Sequence, residues 1–161
     1  MSRLDVFIAR MTAQAKCLNW AAEDIRDLRG PVFELGLGNG RTYHHLRELF
    51  PAREIFVFDL TGRSHPDCIP PAENLFLGDV LESLKKVQLR FKQQVALVHA
   101  DIGSHDLAAN EALGRLISPL LVPLMQPNGI IVSTDRYYVD EWETLELPEG
   151  VDPVEGFLYR A

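Results

Sequence analysis

Two runs, Ile55-Phe56-Val57-Phe58 and Val95-Ala96-Leu97-Val98, are apolar at every position. A strand with one wet face alternates polar and apolar residues. A run without alternation belongs to a strand covered on both faces, as in a parallel sheet between helices. Five central strands are expected on this basis, at 31–35, 54–59, 74–77, 95–100 and 129–133. Segments of helical length or spacing lie between them, at 41–50, 80–92 and 105–125; Pro119 should kink or end the last. Residues 61–72 contain Pro66, Pro70 and Pro71 and read as a loop with at most one helical turn. Two late strand signals, 142–147 and 156–160, flank a turn-rich stretch and suggest an antiparallel hairpin closing the sheet. The fold class is therefore α/β, a doubly wound, mostly parallel sheet with helices on both faces.

The first 29 residues form a helical segment of the same domain. Leu4, Ile8, Met11, Ala15, Leu18, Ala22 and Ile25 recur at steps of four and three, one helical stripe, and Gly30-Pro31 stops it. The stripe is expected to pack on the domain, with a seam to a second subunit as the alternative. No repeat, low-complexity tract or linker divides the chain, so residues 1–161 are read as one domain.

The net charge of −7 argues against binding a phosphate backbone, so no nucleic-acid partner is expected. Cys17 and Cys68 form no CxxC pair and are read as reduced thiols. Arg3, Asp5, Arg10 and Lys16 interrupt any signal-like apolar core. The least polar stretch, 116–129, is short and broken by three prolines. A cytoplasmic protein without a membrane span is expected.

Residues 32–42 read Val-Phe-Glu-Leu-Gly-Leu-Gly-Asn-Gly-Arg-Thr: a buried strand, three glycines at alternate positions, then a helix. Glycine is needed where the backbone takes positive φ or where a ligand approaches main chain. In an open parallel sheet this turn lies at the carboxyl end of a strand, where ligands bind. Asp59 ends the next strand, placed to accept both hydroxyls of a ribose. A dinucleotide fingerprint has its third glycine one position later, and Arg41 stands where that pattern wants Gly or Ala. Glu34 beside the loop suits a ligand carrying ammonium and sulfonium charge better than a pyrophosphate.

The run Glu34-Leu35-Gly36-Leu37-Gly38-Asn39-Gly40 resembles motif I of the class I S-adenosylmethionine-dependent methyltransferases. Asp59 matches that family's ribose-binding acid, and Gly78-Asp79-Val80 resembles its adenine-contacting position. The resemblance covers nearly all of the chain after Gly30. It implies S-adenosylmethionine as cofactor, contacted by Glu34, Gly36, Leu37, Gly38, Gly40, Thr42, Asp59, Leu60, Gly78, Asp79, Val80 and His99. Asp79 also reads as a helix N-cap, with Glu82 completing a capping box.

The segment after the fourth strand, His99-Ala100-Asp101-Ile102-Gly103-Ser104-His105-Asp106, borders the acceptor in such a fold. His99, Asp101 and His105 are the candidate bases, needed only if the acceptor must lose a proton. His99 has a ligand- or main-chain-bonding role as its alternative, and Ser104 and Asp106 read equally well as helix caps. No Asn/Asp-Pro-Pro-Tyr follows this strand, unlike amino methyltransferases acting on nucleobases or glutamine amides. Asp101 and Asp135 resemble the carboxylate pair of metal-dependent catechol-type O-methyltransferases. However, His99 replaces an acid usual there, and Arg136 sits where an amide ligand is usual, so no metal is assigned. Arg136, Tyr137 and Tyr138 either line an acceptor pocket or pack in an exposed loop; Trp20 either covers the ligand or joins the core; His44 and His45 read as solvated. No segment remains for substrate-binding insertions, so a small-molecule acceptor and a homo-oligomer are expected. The alternatives are a non-catalytic S-adenosylmethionine-binding regulatory module and an NAD-dependent oxidoreductase.

Overall fold

The apolar runs do form the centre of a sheet. The computed structural model describes residues 2–161. Strands β1 (Val32–Leu35), β2 (Ile55–Asp59), β3 (Leu75–Leu77), β4 (Val95–Ala100), β5 (Met125–Ser133), β6 (Glu143–Leu145) and β7 (Phe157–Arg160) make one seven-stranded sheet. Their order is β3-β2-β1-β4-β5-β7-β6. The first five run parallel, and β7 inserts antiparallel between β5 and β6. The expected doubly wound sheet with a reversed C-terminal pair is what forms. The order reverses between β1 and β4, which puts the switch point, and its crevice, beside the glycine loop.

Each face of the sheet is covered by two helices. On one, α1 (Arg3–Asp24) and α2 (Arg41–Leu49) bring Cys17, Leu18, Ala21, Tyr43 and Leu46 against Val32, Val57, Leu97 and Val132. On the other, α3 (Val80–Val87) and α4 (Leu107–Leu121) bring Leu84, Val87, Ile117 and Leu121 against Phe33, Phe56, Phe58, Val98 and Ile131. Phe33 is ringed by Phe56, Phe58 and Phe91 at centroid distances of 6.1, 4.8 and 5.1 Å. Residues of one strand thus alternate between two cores, which is why no position could be polar without a buried partner.

Several boundaries differ from expectation for identifiable reasons. Strand β5 begins at Met125 rather than 129, because a register shift between Val95 and Leu97 absorbs the Pro127-Asn128 turn. Asp106 starts α4 by accepting from the amides of Ala108 and Ala109 (3.0 and 3.1 Å). Pro119 lies inside α4, which ends two residues later. Residues 61–72 hold one short turn, Pro66–Cys68, and a second, Ala72–Asn74, leads into β3.

The stripe on α1 is correct only in part. Ala13, Gln14, Cys17, Leu18, Ala21 and Ile25 are buried, whereas Leu4 and Ile8 are 65% and 53% exposed. Because Arg10 already reaches the loop after β4, the first two turns overhang the carboxyl edge of the sheet. Trp20 packs against the core on the α1 face. No helix among the described residues is long and apolar enough to cross a membrane.

Candidate functional site

The glycine loop links β1 to α2 at the carboxyl edge, and its glycines do different things. Gly36 has φ +90°, and a Cβ there would lie 2.6 Å from the Asp101 carbonyl oxygen and from Ile102 Cγ2. Gly40, at φ +83°, would collide with Cys68 Cβ at 2.3 Å. Both are demanded by packing as well as by dihedral. Gly38, at φ +50°, would meet nothing within 4 Å. Its exposed main chain faces the crevice.

Asp59, at the end of β2, ties the loop to its neighbour. Its Oδ2 accepts from Leu37 N (2.9 Å), and its Oδ1 from Thr61 N and Gly62 N (2.9 and 2.7 Å). Burial works against the carboxylate, but these amide bonds together outweigh it and hold the carboxyl below its ordinary pKa. The amides of Thr61 and Gly62 fill Oδ1, whereas Oδ2, with Leu37 N alone, keeps lone-pair capacity. Asp59, Leu60, Gly78, Asp79 and Val80 join Gly36, Gly38 and Ile102 around a cavity of about 440 Å³. Gly78, at φ +119°, is open like Gly38. Asp79 caps α3 by accepting from Glu82 N (3.0 Å), while the Glu82 carboxylate pairs with Lys85. Only half of the expected capping box forms.

A second cavity, about 190 Å³, lies between the glycine loop and the overhanging end of α1; Phe7, Arg10, Gln14, Asn39, Arg41 and Thr42 contribute to it. A third, about 240 Å³, lies beyond Asp101 and holds Ser104, His105, Asn110, Thr134 and Asp135. Asp101 borders all three, so they meet at one point above β4. Two further hollows, around Arg53 and Glu54, lie at the opposite, amino-terminal ends of the strands.

Beneath the loop, Glu34 and His99 face each other from adjacent strands, both fully buried. His99 Nδ1 donates to Glu34 Oε2 (2.6 Å), and Thr42 Oγ1 donates to Glu34 Oε1. Burial disfavours the imidazolium, but the attraction of Glu34, its hydrogen bond and nearby Asp101 prevail, so the His99 pKa is raised. Neither Glu34 nor His99 borders any of the three cavities. Their place is under the loop, where they fix its foundation.

Asp101 is likewise engaged. Arg10 Nη2 donates to its Oδ1, and Gln14 Nε2 donates to its Oδ2 (2.8 Å). His105 stands exposed at the rim of the third cavity. The three candidate bases therefore separate: one buried, one salt-bridged, one exposed. Tyr137 is buried against Tyr159, and Tyr138 stacks under Arg115 at 3.9 Å, so neither lines the three cavities, nor does Arg136. His45 is half-buried and meets Asn19 Oδ1 at 2.8 Å, whereas His44 is exposed. Arg10, Gln14, Asn110 and Thr134 were not anticipated. One signal was available: Gln14 is a polar residue between the apolar Ala13, Cys17 and Leu18 of α1. Its Oε1 is buried without a partner among the described residues. Among the described residues no three His, Cys, Asp or Glu side chains converge as a metal site.

Comparison with known proteins is consistent over the whole length. Residues 1–161 match a family described as S-adenosyl-L-methionine methyltransferase. A solved S-adenosyl-L-methionine methyl transferase from Silicibacter pomeroyi DSS-3 is 49% identical, with a TM-score of 0.94 over 99% of this chain and 98% of that one. TrmN from Thermus thermophilus shares the fold at 17% identity, with a TM-score of 0.54 over 87% of this chain and 47% of that one. No curated protein matches the chain.

Proposed function

Since the chain belongs to the S-adenosyl-L-methionine methyltransferase family, whose cofactor is S-adenosylmethionine, we propose that it methylates a small-molecule acceptor at the junction above β4. The observation that carries this reading is the meeting of three cavities at Asp101, one beside Asp59 and one beside the loop. The residues present fit the cofactor. Gly38 and Gly78 leave main chain open to the larger cavity, and Asp59 Oδ2 offers acceptor capacity for the ribose. Asp79 and Val80 would flank the adenine edge, and Leu60, 74% exposed at the rim, would supply an apolar cover. In the smaller cavity Arg41 would suit a carboxylate.

Bound S-adenosylmethionine supplies a methyl group made electrophilic by its sulfonium. The chain's own work is positional, since an in-line displacement gains most from holding the reactants aligned. Glu34, through Thr42 and His99, anchors α2 and β4 to β1 and so fixes the loop. Asp101, held by Arg10 and Gln14, fixes where cofactor and acceptor spaces meet. His105 is the one candidate base free to approach an acceptor in the third cavity.

Two glycine substitutions separate fold from ligand. Gly38→Leu should cost about 1 kcal/mol of stability for its left-handed backbone and abolish calorimetric binding of S-adenosylmethionine. Gly36→Ala, pressed on main chain, should instead lower stability by about 2–4 kcal/mol, read by urea unfolding. Full cofactor binding by Gly38→Leu would remove the loop from the site.

A further inference from the structure

The third cavity carries chemistry of its own, and its walls narrow the class of acceptor. Apart from the exposed imidazole of His105, none of its side chains is aromatic, and none is a large aliphatic. A flat, apolar acceptor would find only that one rim ring to stack on and no apolar wall to bury against. The polar groups, moreover, are mostly spent on one another. Arg10 is committed to Asp101. Asn110 Nδ2 donates to Asp135 Oδ1 and to the Ser104 carbonyl (2.9 and 3.0 Å), while its Oδ1 accepts from Ser104 N (2.7 Å). Ser104 Oγ accepts from Asp106 N (3.1 Å).

Asp135 Oδ2 is the exception. Among the described residues its one side-chain donor is Thr134 Oγ1 at 3.4 Å, a long contact whose single proton is also directed at Asp101 Oδ1, 3.3 Å away. The carboxylate is nevertheless held in place. Asn110 grips the other oxygen, and Gly103 makes room, since a Cβ on it would lie 2.3 Å from Asp135 Oδ2. The carboxylates of Asp101 and Asp135 outnumber the single guanidinium of Arg10 in these walls. A carboxylate short of donors in a half-buried, negative hollow is complementary to an N–H donor of positive or neutral charge and opposes an anion.

We infer that the acceptor is a small primary or secondary amine, received through its N–H by Asp135 Oδ2. This rests on the reading that the cofactor's methyl group lies at the Asp101 junction. An amine arriving as ammonium first gives a proton, through Asp135, to water at the open mouth. The freed nitrogen lone pair then forms the N–C bond as the C–S bond breaks, and that electron pair stays on sulfur. The methylated nitrogen carries the positive charge away, and a proton lost later goes to water.

The test uses the full chain saturated with S-adenosylhomocysteine, its binding first established by calorimetry. Saturation-transfer NMR then screens size-matched pools of small amines (ethanolamine and N-methylethanolamine among them), alcohols and carboxylates, together with catechol. Signals are expected from amines, and those amines should yield S-adenosylhomocysteine when incubated with S-adenosylmethionine. Asp135→Asn should cut that yield by about tenfold or more while cofactor affinity stays within about twofold. Gly103→Ala, which displaces the same carboxylate oxygen but also borders the larger cavity, should cut the yield likewise at saturating cofactor, and melting curves confirm that each variant is folded. Hits confined to carboxylates, alcohols or catechol, the absence of any amine hit, full activity in both variants, or amine binding that disappears with a metal chelator would overturn the inference. A failure of the cofactor reading would show earlier, as no binding of S-adenosylhomocysteine.

Discussion

Asp59→Ala is expected to weaken S-adenosylmethionine binding by about 100-fold or more while the chain stays folded. Two effects combine. A charged acceptor for the ribose, with its free capacity on Oδ2, is lost, at about 1.5–3 kcal/mol for the bond. The amides of Leu37, Thr61 and Gly62 also lose their common acceptor, so the glycine loop is no longer tied to β2. Asp59→Asn keeps the shape but not the charge and should fall between the two. Calorimetry with parallel melting curves gives the answer, and an unchanged affinity in Asp59→Ala would place the ribose elsewhere.

The second large effect concerns the pair beneath the loop. Glu34→Leu leaves His99 and Thr42 without their acceptor and is expected to destabilise the fold by about 3–5 kcal/mol, the usual result of breaking a buried pair from one side. The double variant Glu34→Leu/His99→Leu should recover much of this, because no orphaned polar ring remains. The pair also sets a pH dependence. The folded-state pKa of His99 is raised above its ordinary 6.5, so its contribution to stability is complete below that value. It is lost as pH rises through the folded value. Urea unfolding across neutral and alkaline pH should show a decline that His99→Leu abolishes. A decline that survives in His99→Leu belongs to another group.

Much of the architecture is legible in the sequence because it is written locally. The all-apolar runs of β2 and β4 announce a sheet covered on both faces, and both cores are built from them. The glycine loop, Asp59 and Asp79 are legible for the same reason: each sits at a strand's carboxyl end, where spacing along the chain fixes position in space. What was misread depends on partners distant in sequence. The start of β5 looks like a turn until β4 supplies a bulged partner. The face of α1 looks apolar from Leu4 onward, but the strands end before its first two turns are covered. Arg10 and Gln14 reach Asp101 across 91 and 87 residues, a contact no local period encodes. Glu34 was legible as an acid beside the loop. That its partner would be a buried histidine on β4 follows only from the register pairing Glu34 with His99.

The placement of the cofactor is tested most directly by a crystal structure of the chain with S-adenosylhomocysteine. The ribose hydroxyls are expected on Asp59, the adenine between Leu60 and Val80 beside Asp79, and the methionine portion over Gly38 toward Gln14. The sulfur should lie near Asp101, facing the cavity that holds Asp135. Density for the ligand in the hollows around Arg53, or with its ribose away from Asp59, would contradict it.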